Sequence, residues 1–254
     1  MKTPNQTGMN RTGIQTSPID SRATERGAEE SPPTSIGGES LLAEVRLEVA
    51  QKSEPVGSMP PPGTLKGAAK TAMTMLKGES PTLFLNKLGE RLAFERTGVR
   101  LYEAVVDKLP AFAVNGAMAG PSVADLRSIQ EDELRHVAVV KRAIDKLGGD
   151  ATAMTPAADL GGVASMGILQ VACDPRAQLA DSLQALLAAE LIDNDGWELL
   201  IQLARGLGQD EMVGWFTEAA DEERVHLTRV RAWLMALVMK EAGVETAAAP
   251  PPMA

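Results

Sequence analysis

The chain has 254 residues, 44% of them apolar and 3% aromatic, with 25 Lys and Arg against 34 Asp and Glu, a net charge of −9. That acidic surplus argues against nucleic acid or an anionic membrane as the main partner. The single cysteine, Cys173, excludes an internal disulfide framework, a four-cysteine zinc or iron–sulfur site and a CxxC redox pair. The first twenty residues lack an apolar core and no window approaches eighteen consecutive apolar residues. Neither a secretory signal nor a transmembrane segment is therefore expected, and the sequence reads as cytoplasmic.

Proline spacing divides the chain. Nine of sixteen prolines lie between Pro4 and Pro81, and Pro250, Pro251 and Pro252 close it. Residues 1–80 carry nine basic and nine acidic side chains, so the whole net charge belongs to residues 81–254. The first forty residues, rich in Thr, Ser, Gly, Pro and Glu, have the composition of a disordered segment. Short helices are expected near 41–51 and 64–78, either packing on the folded part or serving as a docking segment for a partner. Residues 81–242 are expected to fold, and 243–254 to form a disordered C-terminal tail.

Four proline-free stretches, 82–109, 122–147, 176–207 and 209–241, are long enough for the helices of a bundle. In the first, Leu88, Leu92, Val99, Tyr102, Val106 and Leu109 form one stripe, with Glu95 in its gap. The second opens on Pro121, Ser122 and Asp125, an N-cap with an acid in the first turn, and ends at Gly148 and Gly149. Its stripe is Leu126, Ile129, Glu133, His136, Val140, Ala143 and Leu147. The third stripe runs Leu183, Leu187, Glu190, Asn194, Trp197, Ile201 and Ala204. The fourth runs Met212, Phe216, Ala219, Glu223, His226, Val230, Trp233 and Leu237.

The halves match. An offset of 95 residues superposes Leu88 on Leu183, Glu95 on Glu190 and Tyr102 on Trp197; an offset of 90 superposes Glu133 on Glu223 and His136 on His226. The pattern is that of a duplicated helical hairpin: two antiparallel pairs joined by a long crossover between the second and third helices, with a short helix near Gly162 to Val171.

A carboxylate on an apolar stripe is costly, and four facing one another also repel. Glu95, Glu133, Glu190 and Glu223 intrude on the four stripes, and one turn beyond two of them stand His136 and His226. Positions three apart share a helix face, so each Glu-x-x-His pair can aim both side chains at one ion. Two divalent cations balance four carboxylates. A metal-free ion-pair network lacks matching cations, because Arg96, Arg135 and Arg224 lie off the stripes.

At these residues the sequence resembles the ferritin-like superfamily of di-iron and di-manganese carboxylate proteins, over residues 82–240. The resemblance implies an all-α, ferritin-like four-helix bundle. It implies Glu133 and Glu223 as bridging carboxylates, Glu95 and Glu190 as terminal ones, and His136 and His226 as one ligand for each metal, the six together forming the catalytic centre. Tyr102 resembles the tyrosine often found in this superfamily seven residues after the first ligand Glu. The oxygen-rich donor set suits iron, with manganese as the other candidate, so the cofactor is read as two Fe ions.

The implied function is oxidation of Fe(II) by O2 or H2O2 for iron handling or oxidative-stress defence. The alternatives are a peroxidase, an oxygenase or hydroxylase with a pocket beside the ligands, and a metal-stabilised cargo or adaptor protein. A homo-oligomer is compatible with all of them.

Around the ligands, Glu131, Asp132, Asp221 and Glu222 read as solvated or outer groups. Asp193 and Asn194 read as candidates to orient a histidine, and Tyr102 and Trp197 more as core than as redox partners. Cys173 and the methionines read as structural.

Overall fold

The computed structural model describes residues 38–57, 81–112 and 120–244, with isolated residues before position 38 and between 59 and 69. The described residues are helical, with no strand among them. The expected helix at 64–78, the disordered segment 1–40 and the C-terminal tail fall largely outside those residues. The chain divides into two units, Met1–Pro55 and Val56–Ala254.

The first unit contains α1 (Gly38–Lys52), which covers the helix expected near 41–51. Its apolar residues Leu41, Leu42, Val45, Leu47 and Val49 are all exposed.

The second unit contains α2 (Pro81–Phe112), α3 (Val123–Lys146), α4 (Pro156–Cys173), α5 (Leu179–Gly206) and α6 (Asp210–Glu241). α2 opens on Pro81, whose fixed φ suits a first turn. It continues three residues beyond the predicted end: Pro110 lies inside the helix rather than stopping it, although it has no N–H to offer the Val106 carbonyl one turn back. α3 starts at the predicted cap: the Asp125 N–H donates to Ser122 Oγ at 3.1 Å and the Ser122 N–H to Asp125 Oδ2 at 2.9 Å. Arg229 of α6, buried against Trp233, also donates to Asp125, so the cap doubles as a tie between helices. A three-residue link turns α5 back into α6, and Gly208 in it takes a φ of +63°, a conformation suited to glycine.

The long crossover is present, and the helix within it is longer than expected. α4 fills most of it because Thr155 caps the helix and Pro156 occupies its first turn, so this proline starts a helix rather than separating two. Both ends are fastened. Thr155 Oγ1 donates to the Asn86 carbonyl at 3.1 Å, and Lys108 Nζ donates to the carbonyls of Ala172 and Asp174 at 3.1 and 2.9 Å.

α2 packs on α3, α4 and α5; α5 packs on α4 and α6; α3 meets α6. Two apolar clusters result. One contains Phe84, Leu88, Trp197 and Phe216, and the other Tyr102, Leu126, Leu183 and Trp233. No helix among the described residues is long and apolar enough to cross a membrane.

Candidate metal centre

The six predicted residues are buried, none more than 2% exposed, and they converge. Donor atoms of Glu95, Glu133, His136 and Glu223 lie within 4.8 Å of one another, and so do those of Glu133, Glu190, Glu223 and His226. Glu133 and Glu223 belong to both groups, one from α3 and one from α6. His136 Nδ1 stands 2.7 Å from Glu223 Oε1 and 3.6 Å from Glu95 Oε2, and His226 Nδ1 stands 3.4 Å from Glu223 Oε2.

These approaches close the distance without the alignment of hydrogen bonds. Oε2 of Glu95, Glu133 and Glu190, both oxygens of Glu223, and Nδ1 of each histidine are buried with no hydrogen-bond partner. Buried polar atoms are ordinarily paired, so unpaired donors of one kind aimed at one place point to a ligand. This buried Glu/His cluster could hold a metal ion.

The other nitrogen of each imidazole is engaged, crosswise. His136 of α3 meets Glu222 Oε2 of α6 at 2.8 Å through Nε2, and His226 of α6 meets Asp132 Oδ2 of α3 at 2.9 Å. Each carboxylate directly precedes a shared glutamate in sequence. With a proton held at Nε2 by its carboxylate, each ring has Nδ1 as the nitrogen that can bind an ion once it is deprotonated. Arg135 joins the two outer carboxylates, bonding Asp132 and, at 3.1 Å, Glu222. Asp193 and Asn194 do not orient a histidine: Asn194 Nδ2 donates to the carbonyls of Glu190 and Glu223 at 2.9 and 3.1 Å, stitching α5 to α6.

Asp193 instead reveals the cation that the stripes missed. Arg91, 4% exposed, places Nη1 at 2.8 Å from Asp193 Oδ1 and Nε at 3.0 Å from Glu95 Oε1. Burial opposes its charge, but Asp193 and Glu95 outweigh burial and raise its pKa further. The guanidinium fits because position 196 is glycine: a Cβ there would collide with Nη1. Gly98 does the same for Glu133, whose Oε2 would lie 2.5 Å from an added Cβ.

Tyr102, buried on α2, donates its hydroxyl to Glu190 Oε1 and leaves Oε2 free. Trp197, its counterpart in the repeat, stands edge-on to the His136 ring at 5.5 Å. Burial drives Glu133 well above the usual carboxylate range, with Glu223 adding to the effect, and lifts Glu190 to about 8. Glu223 goes the other way: although burial raises it, the two imidazoles hold it at about 2.

Comparison with known proteins returns no matching family model, no matching curated protein and no matching solved structure.

Proposed function

We propose that this chain is a ferritin-like di-iron protein that oxidises Fe(II) with O2 or H2O2, an oxidoreductase acting in iron handling or oxidative-stress defence. The observation that carries the reading is the sharing of Glu133 and Glu223 between two four-residue donor groups. One ion needs one such group; two groups with common carboxylates suit a pair of ions held close together.

Glu133 and Glu223 would bridge the pair, Glu95 and His136 would complete one position, and Glu190 and His226 the other. Bound as a pair, iron ions supply two electrons at one place, which is the stoichiometry for reducing H2O2 to water or O2 to peroxide. Carboxylates and single imidazoles favour iron or manganese over metals that prefer thiolate. The charge argument survives the presence of Arg91, because Arg91 and Asp193 cancel and leave four glutamates to balance two divalent ions.

The residues around the donors have defined tasks in this reading. Asp132 and Glu222 fix the imidazole tautomers, and Arg135 holds those two carboxylates in place. Tyr102 and Arg91 each take one oxygen of a terminal glutamate, Glu190 and Glu95, and so aim the second oxygen at the ions.

The test is anaerobic Fe(II) loading, desalting and metal analysis, followed by the ultraviolet spectrum on admitting air. Two irons per chain, a new oxo-ferric absorption and continued oxidation of added Fe(II) are expected. Stoichiometric binding without turnover would leave a metal-stabilised adaptor, and no bound iron would remove the reading.

A further inference from the structure

Beyond the metal cluster, α2, α4 and α5 enclose a cavity of about 160 Å3 that reaches from the surface to Arg91. Its walls are Phe94 of α2 and Ile192, Leu199 and Leu200 of α5, with Gly161 and Ala164 of α4 opposite. Ile192 and Leu199 remain 47% and 46% exposed and form the open side, while Leu200, at 2%, lies deep. An apolar cavity of about 150 Å3 lined by Leu, Ile and Phe is large enough to take benzene or xenon.

The polar residues in the lining decide the class of occupant, because each already has a partner within the protein. Lys87 Nζ pairs with Glu90 Oε2 at 2.5 Å, Ser165 Oγ donates to the Gly161 carbonyl at 2.8 Å, and Arg91 is held between Asp193 and Glu95. Lys87 with Glu90 and Arg91 with Asp193 and Glu95 are thereby neutralised inside the protein, so the lining offers an ionic guest no uncompensated opposite charge, while its walls are apolar. An uncharged apolar guest needs none. It would instead cover Phe94, Leu199 and Leu200 and exclude water from the outer face of Arg91.

We propose that this cavity is a binding site for a small, uncharged, largely apolar molecule of the size of a single aromatic ring, seated on Arg91 and separated from Glu95 only by that guanidinium. The site stands independently of what the cluster binds. A guest resting on Arg91 also sits one side chain from the candidate metal centre, so the same side chain would carry its effect to Glu95.

The probes are benzene, followed by its effect on the melting temperature and amide spectrum of the full chain as purified, and xenon, followed by its 129Xe resonance. Saturable stabilisation is expected in the wild type. Gly161→Leu and Ala164→Phe fill the cavity from α4, and each should weaken benzene at least about tenfold without changing the metal content. The shifted amides should cluster at Phe94, Ile192 and Leu199. Either folded variant suffices, so failure of one to fold does not remove the test. Absence of saturable binding to folded wild-type protein, or unchanged binding in a folded filled variant, would overturn the assignment.

Discussion

Asp132 and His226 meet at 2.9 Å across α3 and α6, although Asp132 is the immediate neighbour of Glu133, which turns to the cluster. Successive helical residues point about 100° apart, so one Asp-Glu pair supplies an inner carboxylate and an outer one. The reciprocal contact of Glu222 with His136 repeats the device from the other helix. Removing the outer carboxylate frees the imidazole to rotate and to change tautomer. Asp132→Ala should weaken metal binding by roughly 10–100-fold while the helical content stays unchanged. Competition titration against a coloured chelator, with circular dichroism alongside, reads both quantities.

Gly98 is held at glycine by the carboxylate it faces. An added Cβ would lie 2.5 Å from Glu133 Oε2 and 2.9 Å from its Cδ, and the end of a side chain can move where backbone cannot. Gly98→Ala should therefore displace Glu133 and lower metal content below the wild-type value. The metal-free helix should gain up to about 1 kcal/mol from the better helix former. A variant that melts no lower yet holds less metal separates the role of this glycine from a general packing defect.

The one-sided helices were fully legible. Every residue of the α3 stripe from Leu126 to Leu147 and of the α6 stripe from Met212 to Leu237 is buried, because each of these helices hides a single face. α2 and α5 hide two. Their second face, turned toward α4, carries Arg91, Phe94 and Asp193, none of which lies on a predicted stripe. The six donors were readable because they interrupt the first face; the cation was not, because sequence gives no sign that α4 covers the second. The imidazole partners were equally hidden, since a contact from α3 to α6 cannot be read from spacing within either helix.

Protons hold the metal-free cluster together. Burial opposes the charged imidazoles, but Glu223 and Glu95 lift His136 to about 11, and Asp132 and Glu223 lift His226 to about 9. Burial keeps Glu190 protonated up to about 8. A metal needs bare Nδ1 atoms and ionised carboxylates, so loading near neutral pH should expel protons, one from each imidazole and others from the glutamates. Apparent affinity should rise from neutral pH toward 9. The sign for stability is opposite. The raised imidazole pKa values stabilise the metal-free fold fully below about 6.5, and that contribution fades as pH rises through 9 and then 11. The raised pKa of Glu190 adds a penalty that grows between its ordinary 4.5 and about 8. The metal-free melting temperature should thus fall with rising alkalinity, and that of the loaded protein should fall less. A pH-stat during loading and paired melting curves check both statements.

The shared and unshared glutamates should differ in kind. Glu190 enters one donor group only, with Tyr102 on its other oxygen, whereas Glu223 enters both and also contacts both imidazoles. Glu190→Ala removes one donor from one group and leaves Glu95, Glu133, His136 and Glu223 intact, so one tightly held metal should survive while the second is weakened. Glu223→Ala takes a donor from each group and removes the carboxylate nearest to Nδ1 of both imidazoles, so paired binding should vanish. Anaerobic Co(II) titration followed by absorbance resolves the two cases: one surviving high-affinity equivalent for Glu190→Ala, and none for Glu223→Ala. Two metals retained by Glu223→Ala would remove its bridging role. Equal losses in both variants would mean that the donors form one undivided site rather than two sharing an edge.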